Sequence, residues 1–299
     1  MGAVTPADGT ARGVLLSVAV DRLRGAGVES ASYDASELLA FVLHVPRSRL
    51  ALVDDVTPAQ AQEFGHLVEQ RAARIPLQHL TGVAHFRYVE LLVGPGVFVP
   101  RPETELLAGW AVEEARVALS SGRTDGAVVV DLGTGSGAIA KSVAHEEPTA
   151  RVHAVELDES AYSWAVANLS GTGVDLRHGD MATAFDDLAG TVDVVVCNPP
   201  YIPLTAWESV AAEARDHDPD LALFSGEDGL DAMRVLEVRA ASLLRPGGVL
   251  GAEHADEQGP DGLAGGAPAV FAAAGRWVDV RDHLDLVGRP RFTTARLAR

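Results

Sequence analysis

An apolar stretch that ends in two consecutive prolines constrains this chain more than any other part of the sequence. Val192–Cys197 has the composition of a buried strand, and Asn198-Pro199-Pro200-Tyr201 follows directly. Proline has no backbone N–H and favours an extended conformation in the residue before it, so the strand must stop here. In an open α/β sheet, ligands bind at the carboxyl ends of the strands. We therefore expect the Asn198 amide and the Tyr201 ring to contact a planar, neutral group that contains nitrogen, although a plain turn is the simpler alternative.

A second predicted strand is followed by a glycine-rich turn. Val128–Leu132 leads into Gly133-Thr134-Gly135-Ser136-Gly137, and residues that favour a helix follow from Ala138. Glycines allow a ligand to approach the backbone, and the amino terminus of a helix adds free N–H groups and a positive potential. Glu156 ends the next predicted strand, about twenty residues after the turn, where a carboxylate can bind both hydroxyls of a ribose. The spacing predicts a cofactor that contains a nucleoside.

Two classes of enzyme fit this turn. Gly135-Ser136-Gly137-Ala138-Ile139-Ala140 matches the dinucleotide pattern G-x-G-x-x-A, so an NAD-dependent oxidoreductase is one hypothesis. The turn with Asp131 before its glycines resembles the first motif of class I S-adenosylmethionine-dependent methyltransferases. Asn-Pro-Pro-Tyr resembles the branch of that class that methylates amino groups, and hydride transfer has no evident use for it. A methyltransferase is favoured, and a noncatalytic binding protein with the same fold stays open.

The composition is that of a globular enzyme. The chain has 299 residues, of which 47% are hydrophobic and 22% are charged, which allows one large or two ordinary domains. A net charge of −18 opposes nonspecific binding to nucleic acid. The single cysteine, Cys197, excludes an internal disulfide and a metal site with several cysteines. Without an apolar run long enough to span a membrane or a persuasive targeting signal, we expect a cytoplasmic protein without a membrane segment.

The chain divides near residue 100 into parts with different patterns. Three amphipathic patterns predict a helical domain over residues 1–84. Residues 85–100 predict a connecting β-hairpin with Gly94-Pro95-Gly96 at its turn. In residues 101–299, a helix from Glu103 to Leu119 precedes alternating strands and helices, which predict an α/β fold with a doubly wound, mainly parallel sheet. The predicted strands lie near residues 127–132, 151–156, 174–178, 192–197, 247–253, 277–282 and 292–297.

Further motifs carry a resemblance to one family. Over nearly its whole length the chain resembles the HemK/PrmC-type protein-(glutamine-N5) methyltransferases, which act on peptide chain release factors. Besides the two motifs above, the resemblance rests on Pro76–Gly82, Phe98–Glu105, Gly226–Leu230 and Asp282–Phe292. Asn-Pro-Pro-Tyr alone also marks DNA and RNA methyltransferases, whereas Pro-Arg-Pro-Glu-Thr-Glu is more selective. Enzymes that methylate a ribosomal-protein glutamine continue differently after Pro-Arg and rank second.

The resemblance implies a class I methyltransferase fold and a set of residues that bind S-adenosylmethionine. Glu156 would hold the ribose, where the family often has aspartate. Asp180 would face the adenine amine, and Met181 would pack on the ring, although Met181 also fits an ordinary core position. Phe98 and the segment from Pro100 to Thr104 would line the pocket from the other side. The methionine part of the cofactor would lie against Gly133, Thr134, Gly135, Ser136 and Gly137. Asn198 would also contact the cofactor.

The resemblance also implies the reaction. Asn198, Pro199, Pro200 and Tyr201 would bind the substrate glutamine, with Asn198, Pro199 and Tyr201 as the catalytic residues. The methyl group would go to the side-chain nitrogen, N5, of the glutamine in the Gly-Gly-Gln loop of a release factor, which would modulate translation termination. Because the methyl sulfonium carries its own driving force, we expect no metal. The helical domain would dock the release factor or, alternatively, only cover the catalytic domain.

Overall fold

The computed structural model describes residues 10–53, 55–121, 126–262 and 265–299. The chain divides into two units. The first comprises the residues up to Val83 together with Ala211–His217, and the second comprises Ala84–Val210 and Asp218–Arg299. Residues 211–217 thus belong to the first unit although they follow the Asn-Pro-Pro-Tyr segment in sequence, which no sequence pattern indicates.

Helices of the first unit form where apolar residues recur at helical spacing. One of them begins with Pro58 at its first position and a capping box, in which the Thr57 backbone N–H donates to Gln60 Oε1 at 3.1 Å. Leu23, Leu38 and Phe64 lie in the buried core. The elements before residue 83 are β1 (Thr10–Ala11), α1 (Arg12–Gly25), α2 (Ala31–Val42), β2 (Asp55–Val56), α3 (Pro58–Ala72) and α4 (Leu77–Thr81).

A buried ion pair ties two helices of this unit together. Arg71 Nε donates to Asp34 Oδ2 at 2.7 Å, and both side chains are only 4% exposed. Arg71 Nη2 and Arg74 Nη2 each lie 2.9 Å from Glu213 Oε1. Glu213 belongs to the short segment Ala211–His217, so these bonds fix that segment within its unit.

The second unit alternates strands and helices as predicted. The helix predicted from Glu103 begins one residue later. The strands predicted at residues 151–156 and 192–197 have the predicted bounds, and the ends of the other strands differ from the prediction by at most three residues. Its elements are β3 (Val83–Phe86), β4 (Val89–Leu92), α5 (Thr104–Ser120), β5 (Val128–Leu132), α6 (Ala138–Glu146), β6 (Arg151–Glu156), α7 (Glu159–Leu169), β7 (Asp175–His178), β8 (Val192–Cys197), α9 (Asp220–Leu223), α10 (Asp231–Leu243), β9 (Leu244–Glu253), α11 (Gly266–Ala273), β10 (Trp277–Leu284) and β11 (Pro290–Leu297), with α8 (Ala212–His217) of the first unit between β8 and α9.

A seven-stranded sheet organises the second unit. Its order is β10-β11-β9-β8-β5-β6-β7. Strands β7, β6, β5, β8 and β9 run parallel, whereas β11 pairs antiparallel with both β9 and β10. Apolar residues on both faces of β5 are buried, Val129 beneath helices α5 and α6 and Val130 beneath α10. This is the doubly wound, Rossmann-like α/β fold that the alternation predicts.

The strand order reverses between β5 and β8. The chain runs outward from β5 through β6 to β7, and then returns to place β8 on the other side of β5. The two strands are in register, with Asp131 opposite Val196. Ligands bind at such a reversal in open α/β sheets. The glycine turn after β5 and the Asn-Pro-Pro-Tyr segment after β8 therefore start side by side.

The β-hairpin exists, but the predicted position of its turn is wrong. Strands β3 and β4 pair across a turn at Arg87 and Tyr88. The Arg87 backbone has a φ of 49°, and its guanidinium binds Glu146 at 2.6 Å and the Glu105 carbonyl at 2.9 Å. These tertiary contacts, which sequence patterns do not reveal, stabilise an unusual turn residue.

Gly94-Pro95-Gly96 instead lies in the loop after β4. A Cβ atom on Gly94 would lie 2.6 Å from the Trp164 ring, and one on Gly96 would lie 2.9 Å from the Ser160 Cβ. These glycines permit close packing of the loop against α7 rather than a hairpin turn.

Candidate active site

The glycine turn is held by the buried carboxylate that precedes it. Asp131 Oδ2 accepts hydrogen bonds from the Thr134 hydroxyl at 2.6 Å and from the Ala140 N–H at 3.1 Å. Burial raises the pKa of Asp131 to about 7, and these two hydrogen bonds oppose the shift. Thr134 and Ser136 are themselves buried. The Thr134 side chain therefore supports the turn from within, and the backbone carbonyls of Thr134 and Ser136 accept from the Gly137 N–H and from Asn168 Nδ2, both at 2.9 Å.

Three glycines of this turn have positive φ angles but different surroundings. A Cβ atom on Gly137 would lie 3.0 Å from Leu169 Cγ, so this glycine permits close packing against α7. A Cβ atom on Gly133 or Gly135 would have no other atom within 4 Å in the described part of the chain. The turn thus leaves open space beside its backbone at the amino terminus of α6, which fits a ligand that approaches the main chain. Asp131 Oδ1, in the strand that leads into this turn, is buried and has no hydrogen-bond partner among the described residues.

Glu156 joins the ends of two neighbouring strands. Its Oε2 accepts from the Gly135 N–H at 2.8 Å, and its Oε1 accepts from the N–H groups of Leu157 and Asp158, both at 2.8 Å. Burial raises the pKa of Glu156, and these backbone donors oppose that effect. A carboxylate offers about four acceptor positions. Three are used by the backbone here, which leaves room for a further donor.

The two predicted adenine contacts lie at the same edge. The Gly179 N–H donates to the Glu156 carbonyl at 2.9 Å, which places the end of β7 beside the end of β6. Asp180 follows in an exposed position, with its Oδ1 accepting from the Ala182 N–H at 2.8 Å. Met181 is half-buried and packs against the core beneath β5 and α10. Asp180 is accessible to a ligand, whereas part of Met181 serves the core.

The Phe98 ring packs against the guanidinium group of Arg101. The guanidinium carbon of Arg101 lies 4.8 Å from the centre of the Phe98 ring. Arg101 Nη2 also binds Asp218 Oδ2 at 2.6 Å. The half-buried ring is thus fixed by its neighbour in the Pro-Arg-Pro-Glu-Thr-Glu stretch.

Asn198 is oriented by the start of helix α5. Its Nδ2 donates to Thr104 Oγ1 at 3.3 Å, and Asn198 is half-buried while Thr104 is buried. An amide that donates on one side presents its oxygen on the other. The arrangement therefore leaves Asn198 Oδ1 available as an acceptor.

The backbone after Asn198 is fixed by residues far away in sequence. Pro199 is buried, and Pro200 and Tyr201 are half-buried. The Tyr201 carbonyl accepts from Gln258 Nε2 at 3.0 Å. Gly229 packs against this bond, since a Cβ atom there would lie 2.6 Å from Gln258 Nε2 and closer still to the Tyr201 oxygen.

One buried carboxylate at this edge is missing from the residues predicted as site residues. Glu253 ends β9, next to β8, and is 1% exposed. Burial raises its pKa to about 7, and hydrogen bonding with the Thr104 and Tyr201 hydroxyls opposes this effect. Burial also raises the pKa of Tyr201, so its hydroxyl is a donor. An acidic residue at the end of a parallel strand beside β8 is a signal that the sequence does contain.

Comparison with known proteins first defines the class. Residues 15–82 match the PrmC N-terminal domain family, and residues 116–215 match the methyltransferase small domain family. The chain is a methyltransferase.

Full-length relatives then define the family. The chain is 55% identical over 280 residues to the release factor glutamine methyltransferase of Streptomyces coelicolor, which covers 94% of this chain and 96% of that protein. It is 45% identical over 288 residues to the enzyme of the same name from Mycolicibacterium smegmatis, covering 95% and 97% of the two chains. The chain belongs to the family of release factor glutamine methyltransferases. The oxidoreductase and ribosomal-protein alternatives find no support here.

One relative has a different kind of named substrate. The chain is 41% identical over 266 residues to the 4-amino-L-phenylalanine/4-methylamino-L-phenylalanine methyltransferase of Streptomyces pristinaespiralis, covering 88% of this chain and 87% of that protein. Any test of substrate must therefore include a small aromatic amine. No helix in the described ranges is long and apolar enough to cross a membrane.

Proposed function

We propose that this protein transfers a methyl group from S-adenosylmethionine to the side-chain amide nitrogen of a glutamine in a peptide chain release factor. The observation that carries the proposal is the oriented amide of Asn198. It stands at the carboxyl end of β8, beside the strand that leads into the glycine turn. An amide acceptor is suited to an amide substrate, and its place in the sheet is next to the proposed cofactor site.

The cofactor would bind across the ends of β5, β6 and β7. The open backbone at Gly133 and Gly135 would receive the methionine part, and the remaining acceptor position on Glu156 would bind the ribose. Asp180 would meet the adenine amine, with Met181 and Phe98 beside the ring. S-adenosylmethionine supplies an activated methyl group on a positively charged sulfur. The buried carboxylate of Asp131, unpartnered at Oδ1 among the described residues, fits a positively charged ligand nearby.

The residues after β8 would make the substrate nitrogen reactive by position. An amide nitrogen is a poor nucleophile because its lone pair is delocalised. Asn198 Oδ1 and the Pro199 carbonyl would accept its two N–H groups, which stabilises positive charge as it develops on nitrogen. Tyr201 would pack on the amide plane. Holding the nitrogen in line with the methyl group can contribute roughly 7–11 kcal/mol in favourable cases. The new N–C bond would form as the S–C bond breaks, and no strong base is required because the nitrogen would release its proton after the transfer.

The helical unit would bind the protein substrate. A glutamine side chain alone offers little surface, so selectivity for a release factor requires contacts beyond the active site. The PrmC N-terminal domain match covers residues 15–82 and includes none of the residues assigned to the cofactor. Docking of a partner is the role that we propose for this unit.

A substrate comparison tests the proposed function. The purified chain is incubated with labelled S-adenosylmethionine and, in parallel, with a release factor, the same factor with its loop glutamine changed to glutamate, and 4-amino-L-phenylalanine. We expect label only in the unmodified release factor. Label in the amino acid and none in the protein would replace the proposed function with methylation of a small aromatic amine.

A further inference from the structure

Glu253 occupies a position that stability alone does not explain. Its side chain is buried at the end of β9, and Oε2 has no hydrogen-bond partner among the described residues. A buried acceptor without a partner lowers stability, and such groups in native proteins call for a functional explanation. Two of its neighbours lead to the proposed substrate site: Tyr201 belongs to that site, and Thr104 is the hydrogen-bond partner of Asn198.

The hydrogen-bond directions form a chain from Glu253 to Asn198. A hydrogen bond with the Thr104 side chain lowers the pKa of Glu253. Because an ionised carboxylate only accepts hydrogen bonds, the Thr104 hydroxyl is the donor in this contact. The lone pairs of Thr104 Oγ1 are then directed elsewhere, and one of them accepts from Asn198 Nδ2 at 3.3 Å. Asn198 is thereby held with its NH₂ group towards Thr104 and its oxygen towards the opposite side.

We propose that Glu253 is a positioning residue, which acts through the Thr104 hydroxyl to keep the Asn198 oxygen directed at the substrate amide. The inference rests on the role of Asn198 in the proposed function. Without an acceptor at position 253, the Thr104 hydroxyl is free to donate to the Asn198 oxygen instead. The amide would then turn over and direct its own NH₂ group at the NH₂ group of the substrate, and two donors do not bind each other.

The charged and titratable groups around Glu253 determine the pH range in which its carboxylate is ionised. Glu103 precedes Thr104 and raises the pKa of Glu253, whereas Arg291 on β11 lowers it. Tyr201 faces the carboxylate from the segment after β8. These opposing effects leave the pKa of Glu253 at about 7. The carboxylate therefore holds Thr104 and Asn198 in this arrangement only at pH values where it is ionised. Methyl transfer should therefore rise with pH through the neutral range.

The test measures transfer to a release factor, cofactor affinity and melting temperature for a set of full-length variants. Glu253→Gln and Thr104→Val remove the acceptor and the linking hydroxyl, whereas Thr104→Ser keeps the hydroxyl. Glu237→Gln and Thr293→Val are matched controls. Glu237 is a buried carboxylate bound to Trp277, and Thr293 is a buried threonine whose hydroxyl has no partner in the described ranges.

We expect Glu253→Gln and Thr104→Val to lower kcat by about 10–100-fold, the range found when hydrogen-bond partners of metal-ligating side chains are removed. Affinity for S-adenosylmethionine and the KM for the release factor should change little. Thr104→Ser should transfer near the wild-type rate, and the double variant Thr104→Val/Glu253→Gln should be no slower than either single variant. The rise of kcat with pH should disappear in Glu253→Gln.

Three results would overturn the inference. They are wild-type kcat in Thr104→Val, an unchanged pH profile in Glu253→Gln, and a loss of activity that follows the melting temperature in variants and controls alike. If Glu253→Gln does not fold, the Thr104→Val and Thr104→Ser pair decides the question. Failure of the wild-type chain to modify the glutamine would instead reject the proposed function, so the two failures are distinguishable.

Discussion

Three buried carboxylates lie at the carboxyl edge of the sheet, and each accepts hydrogen bonds from a different kind of donor. Asp131 accepts from the turn that it supports, and Glu156 accepts from three backbone N–H groups. Glu253 depends on the hydroxyls of Thr104 and Tyr201. Burial raises the pKa of all three. Their protonation therefore couples the stability of this edge to pH.

Glu156 gives a prediction about cofactor binding. Glu156→Gln keeps an acceptor for the Gly135 N–H but removes the charge. If Glu156 binds the ribose, affinity for S-adenosylmethionine should fall by about tenfold to a hundredfold, since hydrogen bonds to charged groups contribute roughly 1.5–3 kcal/mol. In Glu156→Ala the affinity should be lower still, because the Gly135 N–H also loses its acceptor. Calorimetric affinities equal to wild type in both variants would place Glu156 outside the cofactor site.

Asp131 gives a prediction about pH. Its folded pKa of about 7 lies above its ordinary value of 3.8. The stability that it contributes is therefore fully present at low pH and is lost as the pH rises through neutrality. Asp131→Asn keeps an acceptor for Thr134 and does not titrate. Between about pH 5 and pH 8, the free energy of unfolding should fall in both proteins. The fall should be smaller in Asp131→Asn than in wild type, and the difference should be roughly 1–3 kcal/mol. Urea denaturation across this range measures it, and equal slopes would refute it.

At the level of elements, the sequence predicts the centre of the sheet well because β5 and β8 are buried on both faces. Val192–Cys197 and Val128–Leu132 are valine-rich segments with clear ends, each with a single aspartate, and both appear as strands. Sequence patterns misplace the hairpin turn because its residue Arg87 is held by Glu146, which lies 59 residues away in the chain. Local patterns favoured Gly94-Pro95-Gly96, whose glycines serve packing instead.

The same distinction applies to the site. Asn198 and the glycine turn lie in short contiguous motifs, so sequence reasoning identifies them. Sequence reasoning misses Glu253 because its partner Thr104 lies 149 positions earlier (253 − 104) and only the packing of α5 on the sheet brings the two residues together. A chain of three polar groups from three elements has no local signature.

Gly229 gives a prediction at this scale. Gly229→Ala would place a methyl group against the Tyr201 carbonyl and Gln258, in a backbone conformation with a φ of 76°. We expect transfer activity to fall well below wild type because the segment after β8 must shift. Gly171→Ala is the control, since it has the same φ but no atom within 4 Å of the added Cβ in the described residues. It should lose only about 1–2 kcal/mol of stability. Equal activity in the two variants would mean that this contact does not position Tyr201.

At the scale of the whole molecule, the chain passes from the catalytic unit into the helical unit and back. It leaves after Val210 and returns at Asp218, shortly after the proposed substrate motif. Removing the residues before Val83 would therefore also leave residues 211–217 without the rest of their unit. A point substitution tests the proposed docking role more cleanly than truncation.

Glu213 provides that substitution. Glu213→Ala removes the ion pairs with Arg71 and Arg74, while Arg71 keeps its bond to Asp34. If the helical unit docks the release factor, the KM for that factor should rise several-fold, and affinity for S-adenosylmethionine should not change. Glu208→Ala, an exposed residue in the preceding segment, is the control. A normal KM in a folded Glu213→Ala protein would argue that residues 211–217 do not contribute to docking.

The most direct test of the account is to map the modified residue with and without Asn198. Wild type and Asn198→Ala are incubated with S-adenosylmethionine and a release factor, and the product is fragmented in a mass spectrometer. We predict one methyl group on the side-chain nitrogen of a single glutamine with the wild type. We predict almost none with Asn198→Ala, although this variant still binds the cofactor with near wild-type affinity. Methylation of another residue type, or full transfer by Asn198→Ala, would contradict the account.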